Sequence, residues 1–244
     1  MNQTDWLSRT ELLVGKEKLE LLKNAHVLVV GLGGVGAYAA EMICRAGVGR
    51  MTIVDGDTIH PSNRNRQLIA LCSTQDKPKA SQMASRLKDI NPDLDLFAID
   101  KYLRDEATVE LLKQPFDYVI DAIDTLSPKI YLIYHCVKNK LRIVSSMGSG
   151  GKFDPEQIHI DDISNSYNCK LAYLLRKRLH KLGVQSGVKV VYSTEQVAKE
   201  TITLCENERN KKSIIGTISY MPPIFGCFMA SVVIHDLLGQ KFSN

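Results

Sequence analysis

The sequence has no run of about 18 consecutive apolar residues, the length that a membrane-spanning helix needs, so we expect no membrane attachment. Its N-terminus is polar, with Asp5 and Glu11 near the start, and lacks the basic and then apolar layout of a secretion signal. We therefore expect a cytoplasmic protein. Six cysteines are scattered without a single Cys-x-x-Cys pair, which argues against a disulfide framework and against a zinc ribbon or knuckle.

The sequence is otherwise that of an ordinary globular chain of 244 residues, with 44% apolar and 24% charged residues. Its formal net charge of +4 permits an anionic partner without requiring one. Short apolar runs alternate with helical patterns in the first part of the chain. The runs that predict strands are 26–30, 51–55, 94–100, 116–124 and 142–146, and the patterns that predict helices include 77–91 and 127–140.

This alternation predicts an α/β fold that is Rossmann-like, with a mainly parallel sheet and helices on both faces. The rhythm changes after Gly151, which indicates an elaborated C-terminal half. There we predict a strand, a turn at Asp154-Pro155 and a second strand, and then a basic helix at about 168–182. A strand at 188–195 and a final apolar helix introduced by two prolines complete the chain.

A glycine cluster follows the first predicted strand, in the stretch "VVGLGGVG". Gly31, Gly33 and Gly36 fit the pattern G-x-G-x-x-G, and Gly34 is an additional glycine. Such a turn lets backbone N–H groups approach a phosphate at a helix N-terminus. Asp55 ends the next strand, where its carboxylate can accept hydrogen bonds from ribose hydroxyls. The pattern predicts a nucleotide site but does not distinguish NAD from ATP.

The segment "DGDTIHPSNRNRQ" after the second strand favours ATP. It carries Asp57, Asn63, Arg66 and Gln67, and Lys79 follows on the next predicted helix. A triphosphate needs several cationic and amide partners, whereas a dehydrogenase has no use for so many beside its nicotinamide. A solvated polar loop is the alternative interpretation of this segment.

Two carboxylates, Asp121 and Asp124, lie where the fourth predicted strand ends, at the usual ligand edge of a parallel sheet. A carboxylate beside a triphosphate normally needs a magnesium ion between them. Asp124 lies further out and is the predicted magnesium ligand, whereas Asp121 is a candidate for holding a local backbone turn.

The order of "GLGGVG", "VDGDTIHPSNRNRQ", Lys79 and "DAID" resembles the E1-like adenylating superfamily of the ThiF, MoeB and HesA type. The resemblance implies ATP and magnesium, without zinc, in one E1-like adenylating domain over 1–244. It assigns a nucleotide-binding half to 1–150, and to 151–244 a half that binds the substrate and tRNA and supports a dimer. Arg9 resembles the N-terminal arginine that reaches ATP in the partner protomer, so a homodimer is implied.

The same resemblance implies roles for the site residues. It assigns the ribose to Asp55, the phosphates to Asn63, Arg66, Gln67 and Lys79, and the magnesium ion to Asp124. Asp57 and the four glycines complete the predicted ATP site. The residues expected to act in catalysis are Arg66, Lys79, Asp124 and Arg9.

Within that superfamily the chain resembles the tRNA threonylcarbamoyladenosine dehydratase branch, in stretches such as "NRNRQLIAL", "YVIDAIDTLSPKIYLI" and "GSGGKFDPEQIHIDDIS". That branch uses ATP to cyclise the threonylcarbamoyl group on adenosine 37 of certain tRNAs. The basic helix is the expected tRNA contact by position and charge, although a solvated helix face is an equal alternative. The predicted contact residues are Lys170, Arg176, Lys177, Arg178 and Lys181.

Three other functions remain open. An adenylating enzyme for a ubiquitin-like or sulfur-carrier protein usually carries paired zinc cysteines, which this sequence lacks. An NAD-dependent oxidoreductase and a non-catalytic nucleotide-binding protein both leave Arg66 and Lys79 unexplained. Cys227, inside the final apolar helix, is expected to be a buried inert thiol, whereas Cys205 on a predicted mobile loop leaves a sulfur relay open. A cysteine desulfurase system is therefore a further candidate partner.

Overall fold

Seven strands form one sheet in which all strands but one run parallel to their neighbours. The computed structural model describes residues 5–204 and 213–239. In chain order the strands of this sheet are β1 (His26–Val30), β2 (Arg50–Val54), β3 (Asp95–Ile99), β4 (Tyr118–Asp121), β5 (Ile143–Ser146), β6 (Ile158–Asp162) and β7 (Lys189–Ser193). Their spatial order is β3-β2-β1-β4-β5-β7-β6, and β6 is antiparallel to β7.

Helices cover both faces of this sheet, as predicted. They are α1 (Ser8–Val14), α2 (Lys16–Asn24), α3 (Gly36–Arg45), α4 (Lys79–Ile90), α5 (Asp105–Leu111), α6 (Leu126–Lys138), α7 (Lys170–Lys181) and α8 (Met221–Leu237). Alternate residues of β1 enter the two hydrophobic cores: Val27 and Val29 pack with α3, α4 and α8, and Leu28 packs with α6 and α7. The predicted Rossmann-like α/β fold is confirmed. None of the helices in the described part of the chain could cross a membrane.

The C-terminal half completes the same sheet instead of forming a separate one. β6 and β7 pair with each other, and β7 pairs in parallel with β5. A short antiparallel pair, β8 (Ile202–Leu204) and β9 (Ser213–Ile215), lies apart from the main sheet. We therefore propose that the chain is a single domain. Cys205 and most of the predicted loop at 206–213 lie outside the described residues.

The predicted strand before Asp154-Pro155 is wrong. Residues 152–154 pair with no strand and lead into a 3-10 turn at Pro155–Gln157. Side chains fix this segment in place of a sheet ladder: the Lys152 ammonium is buried and donates to the carbonyl oxygen of Glu195. The Glu195 carboxylate in turn accepts the backbone N–H groups of Phe153 and Asp154, at 2.7 and 2.9 Å.

Helix α8 is apolar on most of its surface, and nearly all of its residues are buried or half-buried against the described part of the chain. Gly226 lets it approach α3 so closely that a Cβ atom at this position would lie 2.5 Å from the Val35 carbonyl oxygen. On the other side Cys227 is exposed, which corrects the expectation of a buried thiol. An apolar helix without a polar face gives no period that could indicate which side packs inward.

A buried carboxylate links α3 to α4 and gives the fold a pH dependence. Burial alone would raise the pKa of Glu41, but hydrogen bonds from Arg86 and Arg45 outweigh it and lower that pKa below its ordinary value of 4.5. A carboxyl group with a lowered pKa in the folded state stabilises the fold above its unfolded pKa and loses that contribution as pH falls. We expect the difference in Tm between the wild type and Glu41→Gln to shrink as pH falls from about 6 to about 3. A pH-independent difference would contradict this assignment.

Candidate functional site

The glycine turn joins β1 to the N-terminus of α3 at the carboxyl edge of the sheet. Gly31 has φ +90°, a left-handed conformation that side chains disfavour, and a Cβ there would lie 2.7 Å from the Ala122 carbonyl oxygen. A Cβ on Gly36 would lie only 1.8 Å from the carbonyl oxygen of Gly31. The turn is therefore as tight as the sequence predicts, and α3 begins directly behind it. Its N–H groups are placed to receive a phosphate.

Asp55 follows β2 and lies beside this turn. Its Oδ2 accepts the backbone N–H of Leu32 at 2.6 Å, and its Oδ1 accepts that of Asp57 at 2.8 Å. Burial raises the pKa of Asp55, although the Lys79 ammonium and the two N–H groups act in the opposite direction. The carboxylate is thus held at the ligand edge, where the ribose of a bound nucleotide would meet it.

Lys79 is the first residue of α4, and its side chain is buried next to Asp55 and Asp57. Its Nζ lies 2.9 Å from Asp57 Oδ2, and Asp57 also accepts the hydroxyl of Tyr102 at 2.5 Å. That hydrogen bond raises the pKa of Tyr102 to about 12. The predicted cationic group is therefore close to Asp55, the residue predicted for the ribose, and is paired with the Asp57 carboxylate. Tyr102 is a member of this network that the sequence did not indicate.

The polar segment after β2 brings two further predicted residues, Arg66 and Gln67, to the glycine turn. A Cβ on Gly34 would lie 3.4 Å from Arg66 Cγ, and one on Gly33 would lie 3.7 Å from Gln67 Nε2. Arg66 donates through Nη1 to Ser62 and Asn65, which fixes its guanidinium within its own segment. Asn63 instead stabilises its own 3-10 turn, Pro61–Asn63, where its side chain accepts the backbone N–H of His60 at 3.0 Å.

Gln67 is buried, and within residues 5–204 and 213–239 its Oε1 has no hydrogen-bond partner. A buried amide with an unused oxygen is costly in a protein interior. Its Nε2 lies on the Gly33 side, where an anionic oxygen could accept from it. The glycine N–H groups and the Gln67 amide thus offer donors of the kind that a polyphosphate needs, and the Arg66 and Lys79 cations lie nearby, bonded to groups of the protein itself.

Asp124 lies in the loop between β4 and α6, exposed at the same edge. The loop begins at Ala122, which contacts the glycine turn. Magnesium is usually held by one or two carboxylates together with substrate phosphates and waters, so a single carboxylate here fits such an ion. No group of three or more histidine, cysteine, aspartate or glutamate side chains that could hold a metal ion occurs in residues 5–204 and 213–239.

Asp121 and Lys129 form a fully buried ion pair beneath this loop. Lys129 Nζ lies 2.8 Å from Asp121 Oδ2 and donates to the Ile123 carbonyl oxygen at 3.0 Å. Asp121 accepts the hydroxyl of Ser145 and the backbone N–H of Ile123, so it does hold the local turn. The sequence reasoning missed Lys129. The available signal was its position in line with Ile133 and Cys136, which lie on the buried side of α6.

Arg9 is exposed on α1, and in the described chain no hydrogen bond or ion pair joins it to the glycine turn. The same helix presents Leu12 and Leu13 almost fully to solvent, at 89% and 86% exposure. Two neighbouring leucines exposed to this extent are typical of a surface that another chain covers. The position of Arg9 is compatible with a role in a partner protomer, which stays a prediction.

The basic helix α7 exposes four of the five predicted tRNA contacts, Lys170, Lys177, Arg178 and Lys181. Arg176 differs because its Nη1 turns inward and donates to the carbonyl oxygens of Ser166 and Ile163 at 2.6 and 3.3 Å. Arg176 thus holds α7 to the segment that precedes it, and we no longer propose it as a tRNA contact. The four exposed residues stay a prediction.

The comparisons with known proteins agree with this geometry. The sequence profile of the ThiF family matches residues 7–244, which is nearly the whole chain and includes every predicted site residue. The chain belongs to the ThiF family. The resemblance drawn from the glycine turn and the polar segment after β2 is thereby confirmed.

This ThiF-family chain is similar to dehydratases over nearly its whole length and to a carrier-protein adenylyltransferase over part of it. It is 40% identical over 238 residues to tRNA threonylcarbamoyladenosine dehydratase of Bacillus subtilis, covering 95% of this chain and 94% of the relative. The crystal structure of E. coli tRNA N6-threonylcarbamoyladenosine dehydratase, TcdA, in complex with ATP matches with a TM-score of 0.89 at 32% identity. That match covers 97% of this chain and 95% of TcdA. The sulfur carrier protein ThiS adenylyltransferase of E. coli is 33% identical over 158 residues, covering 62% of each chain.

Proposed function

We propose that this chain is an ATP-dependent tRNA-modifying enzyme that dehydrates and cyclises N6-threonylcarbamoyladenosine at tRNA position 37. One observation carries the proposal: the Arg66 side chain lies against the glycine turn and the Lys79 ammonium lies beside Asp57 at the same edge, in a chain similar over 95% of its length to a dehydratase. The carrier-adenylating relative covers 62% of the chain, so the main proposal is favoured over that alternative.

The chemistry follows from the charges at the site. A carboxylate oxygen is a poor leaving group, so the threonine carboxylate attacks the α-phosphorus of ATP and forms an acyl-adenylate while pyrophosphate leaves. The carbamoyl portion of the same side chain then attacks the acyl carbon, loses a proton and releases AMP. The nucleoside has lost one water. Ring closure needs positioning more than a strong protein nucleophile.

The residues of the site serve the first step. The glycine N–H groups, Gln67 and Asn63 would hold the phosphates, and Asp55 the ribose. Arg66 and Lys79 would stabilise the charge that grows as pyrophosphate leaves. Asp124 would hold a magnesium ion, which neutralises phosphate charge when it is bound.

The test is to incubate the purified protein with ATP, magnesium and tRNA carrying threonylcarbamoyladenosine, and then to digest the tRNA and weigh its nucleosides. We expect the modified adenosine to lose the mass of one water only when ATP is present. An unchanged nucleoside, together with AMP on the C-terminus of a small carrier protein, would instead favour the alternative. We further propose that the enzyme acts in the cytoplasm. A cysteine desulfurase partner stays a prediction.

We also propose a homodimer in which Arg9 completes the site of the partner protomer. Chains carrying Arg9→Ala and chains carrying Lys79→Ala are expected to be inactive when each is made alone. Co-expressed with two different tags and purified through both, the mixed dimer would contain one site with both residues intact. We expect it to show about half the wild-type rate. A mixed dimer as inactive as its parents would place Arg9 in the site of its own chain, whereas an active Arg9→Ala parent would place Arg9 outside both sites.

A further inference from the structure

Phe153 presents its ring to solvent from a rigid backbone at the carboxyl edge of the sheet. Its side chain is 66% exposed. Its backbone N–H is bonded to the Glu195 carboxylate at 2.7 Å, and its carbonyl oxygen accepts the Tyr220 hydroxyl at 2.7 Å. One exposed phenylalanine needs no explanation by itself. This one is of interest because other aromatic and basic side chains continue from it in two directions.

In one direction the contacts lead to the glycine turn. The rings of Phe153 and Tyr220 meet edge to face, with their centroids 5.8 Å apart. Tyr220 directly precedes α8, and the Cβ of Pro222 would lie 2.9 Å from a Cβ placed on Gly34. Phe153 is therefore joined through one tyrosine and the first turn of α8 to the proposed phosphate site.

In the other direction the contacts lead to the basic helix α7. Glu195, which holds Phe153, follows Thr194, and the Thr194 carbonyl oxygen accepts from Asn168 Nδ2 at 2.9 Å. The neighbouring Tyr167 is 54% exposed and packs its ring on Tyr192. α7 begins three residues further along the chain.

The exposed face of α7 combines positive charge with a further ring. Lys170, Tyr173, Lys177 and Lys181 recur at spacings of three and four residues, so they lie along one stripe of the helix. The Tyr173 side chain is 56% exposed within that stripe. The stripe, Tyr167, Phe153 and Tyr220 are thus linked by a succession of contacts and short chain segments that leads from α7 to the glycine turn.

A ligand for such a surface must carry repeated negative charge and present flat faces. Single-stranded RNA has both, because its bases can leave the stack and lie on aromatic side chains while lysines meet the phosphates. Paired RNA keeps its base faces stacked inside the helix. The modified adenosine lies in the anticodon loop, which is single-stranded, and must leave its neighbours to reach ATP.

We propose that the Phe153 ring stacks on a base of the anticodon loop adjacent to the adenosine being modified, while Lys170, Lys177 and Lys181 contact the phosphates that lead to it. This inference rests on the proposed tRNA-modifying function and adds the path by which the substrate enters the site. Phe153 then acts in substrate binding and positioning, without taking part in adenylation.

The test compares variants at Phe153 with a matched control at Phe97. Phe97 is also exposed, at 51%. It lies on β3, the outermost strand on the side of the sheet away from β7 and β6. The probe is a fluorescein-labelled anticodon stem-loop that carries threonylcarbamoyladenosine, and its affinity is measured by fluorescence anisotropy. Base stacking on an aromatic side chain accounts for roughly 5-fold to 150-fold in affinity.

We expect Phe153→Ala and Phe153→Leu each to weaken stem-loop binding by about 10-fold or more, since leucine keeps the apolar bulk but has no flat face. Phe153→Trp is expected to retain affinity, and its added indole fluorescence is expected to be quenched when the stem-loop binds. ATP affinity and Tm should be unchanged in all three variants. Phe97→Ala should bind the stem-loop like the wild type.

Several outcomes would overturn the inference. Wild-type affinity in Phe153→Ala, or in Phe153→Leu, would show that no base stacks there. A changed oligomer mass in Phe153→Ala with unchanged stem-loop affinity would assign the ring to a protein contact. A wild-type protein that neither binds nor dehydrates the stem-loop would contradict the proposed function itself. If the wild type does both and the Phe153 variants bind as well as it does, only the role of Phe153 is wrong.

Discussion

The Lys79→Ala substitution is expected to lower dehydratase turnover by about 10²-fold or more, which is the loss that follows removal of one charge-stabilising donor. Lys79 is buried within the proposed ATP site, and its Nζ lies 2.9 Å from Asp57 Oδ2, so the substitution removes a buried cation together with its ion pair. Arg66→Ala is expected to have an effect of the same size, because the Arg66 side chain lies against the glycine turn.

The measurement is a single-turnover rate with enzyme in excess and ATP saturating, which reports the chemical steps apart from product release. Lys77→Ala and Arg64→Ala are the matched controls: both residues are exposed, and each lies two positions from its counterpart. Both control variants should retain the wild-type rate. A Lys79→Ala enzyme that turns over at nearly the wild-type rate would refute the assignment, and so would a control as slow as its counterpart.

The Lys129→Met substitution is expected to lower the free energy of unfolding by about 3–5 kcal/mol. The Lys129 and Asp121 side chains are both fully buried, with Nζ and Oδ2 2.8 Å apart. Removing the ammonium leaves the Asp121 carboxylate in the interior, where Ser145 and a backbone N–H are its remaining hydrogen-bond donors. An unpaired charge in this position costs far more than the pair contributes when it is intact.

The free energy of unfolding is obtained from urea titrations at one fixed protein concentration, because the stability of the proposed dimer would depend on concentration. Lys138→Met, on the exposed end of the same helix, should change stability by no more than about 0.5 kcal/mol. Adding Asp121→Asn to Lys129→Met should recover part of the loss, because it removes the unpaired charge. A Lys129→Met protein as stable as Lys138→Met would contradict the buried pair.

The sequence was sufficient to predict the parallel strands of the sheet and to bring the residues proposed for the nucleotide to one edge of it. Strands such as β1 and β2 are short apolar runs that end at glycine or aspartate, and that pattern leaves little choice of structure. The polar residues predicted for the phosphates follow those same strands, so the parallel sheet alone brings Asp55, Lys79 and the glycine turn together.

What the sequence did not reveal depends on side-chain direction across distant elements. A lysine in a helical pattern is normally assigned to solvent, and only the packing of α6 under β4 turns Lys129 towards Asp121. Arg176 lies in a run of basic residues, yet it folds back onto Ser166. Phe153 lies in a stretch whose composition is typical of a strand, and its exposure follows from hydrogen bonds to Glu195 and Tyr220.

The close approach at the glycine turn decides how a mutational scan of that turn can be interpreted. At Gly36 the space for a Cβ is already taken by the Gly31 carbonyl oxygen, so any replacement must displace the backbone before a nucleotide is involved. At Gly33 the nearest atom is Gln67 Nε2 at 3.7 Å, so alanine fits there. Inactivity at Gly36 therefore reports a distorted β1–α3 connection, and only Gly33 can report on the ligand. Natural relatives that have lost all catalysis should therefore still keep glycine at the position of Gly36 and vary at the position of Gly33.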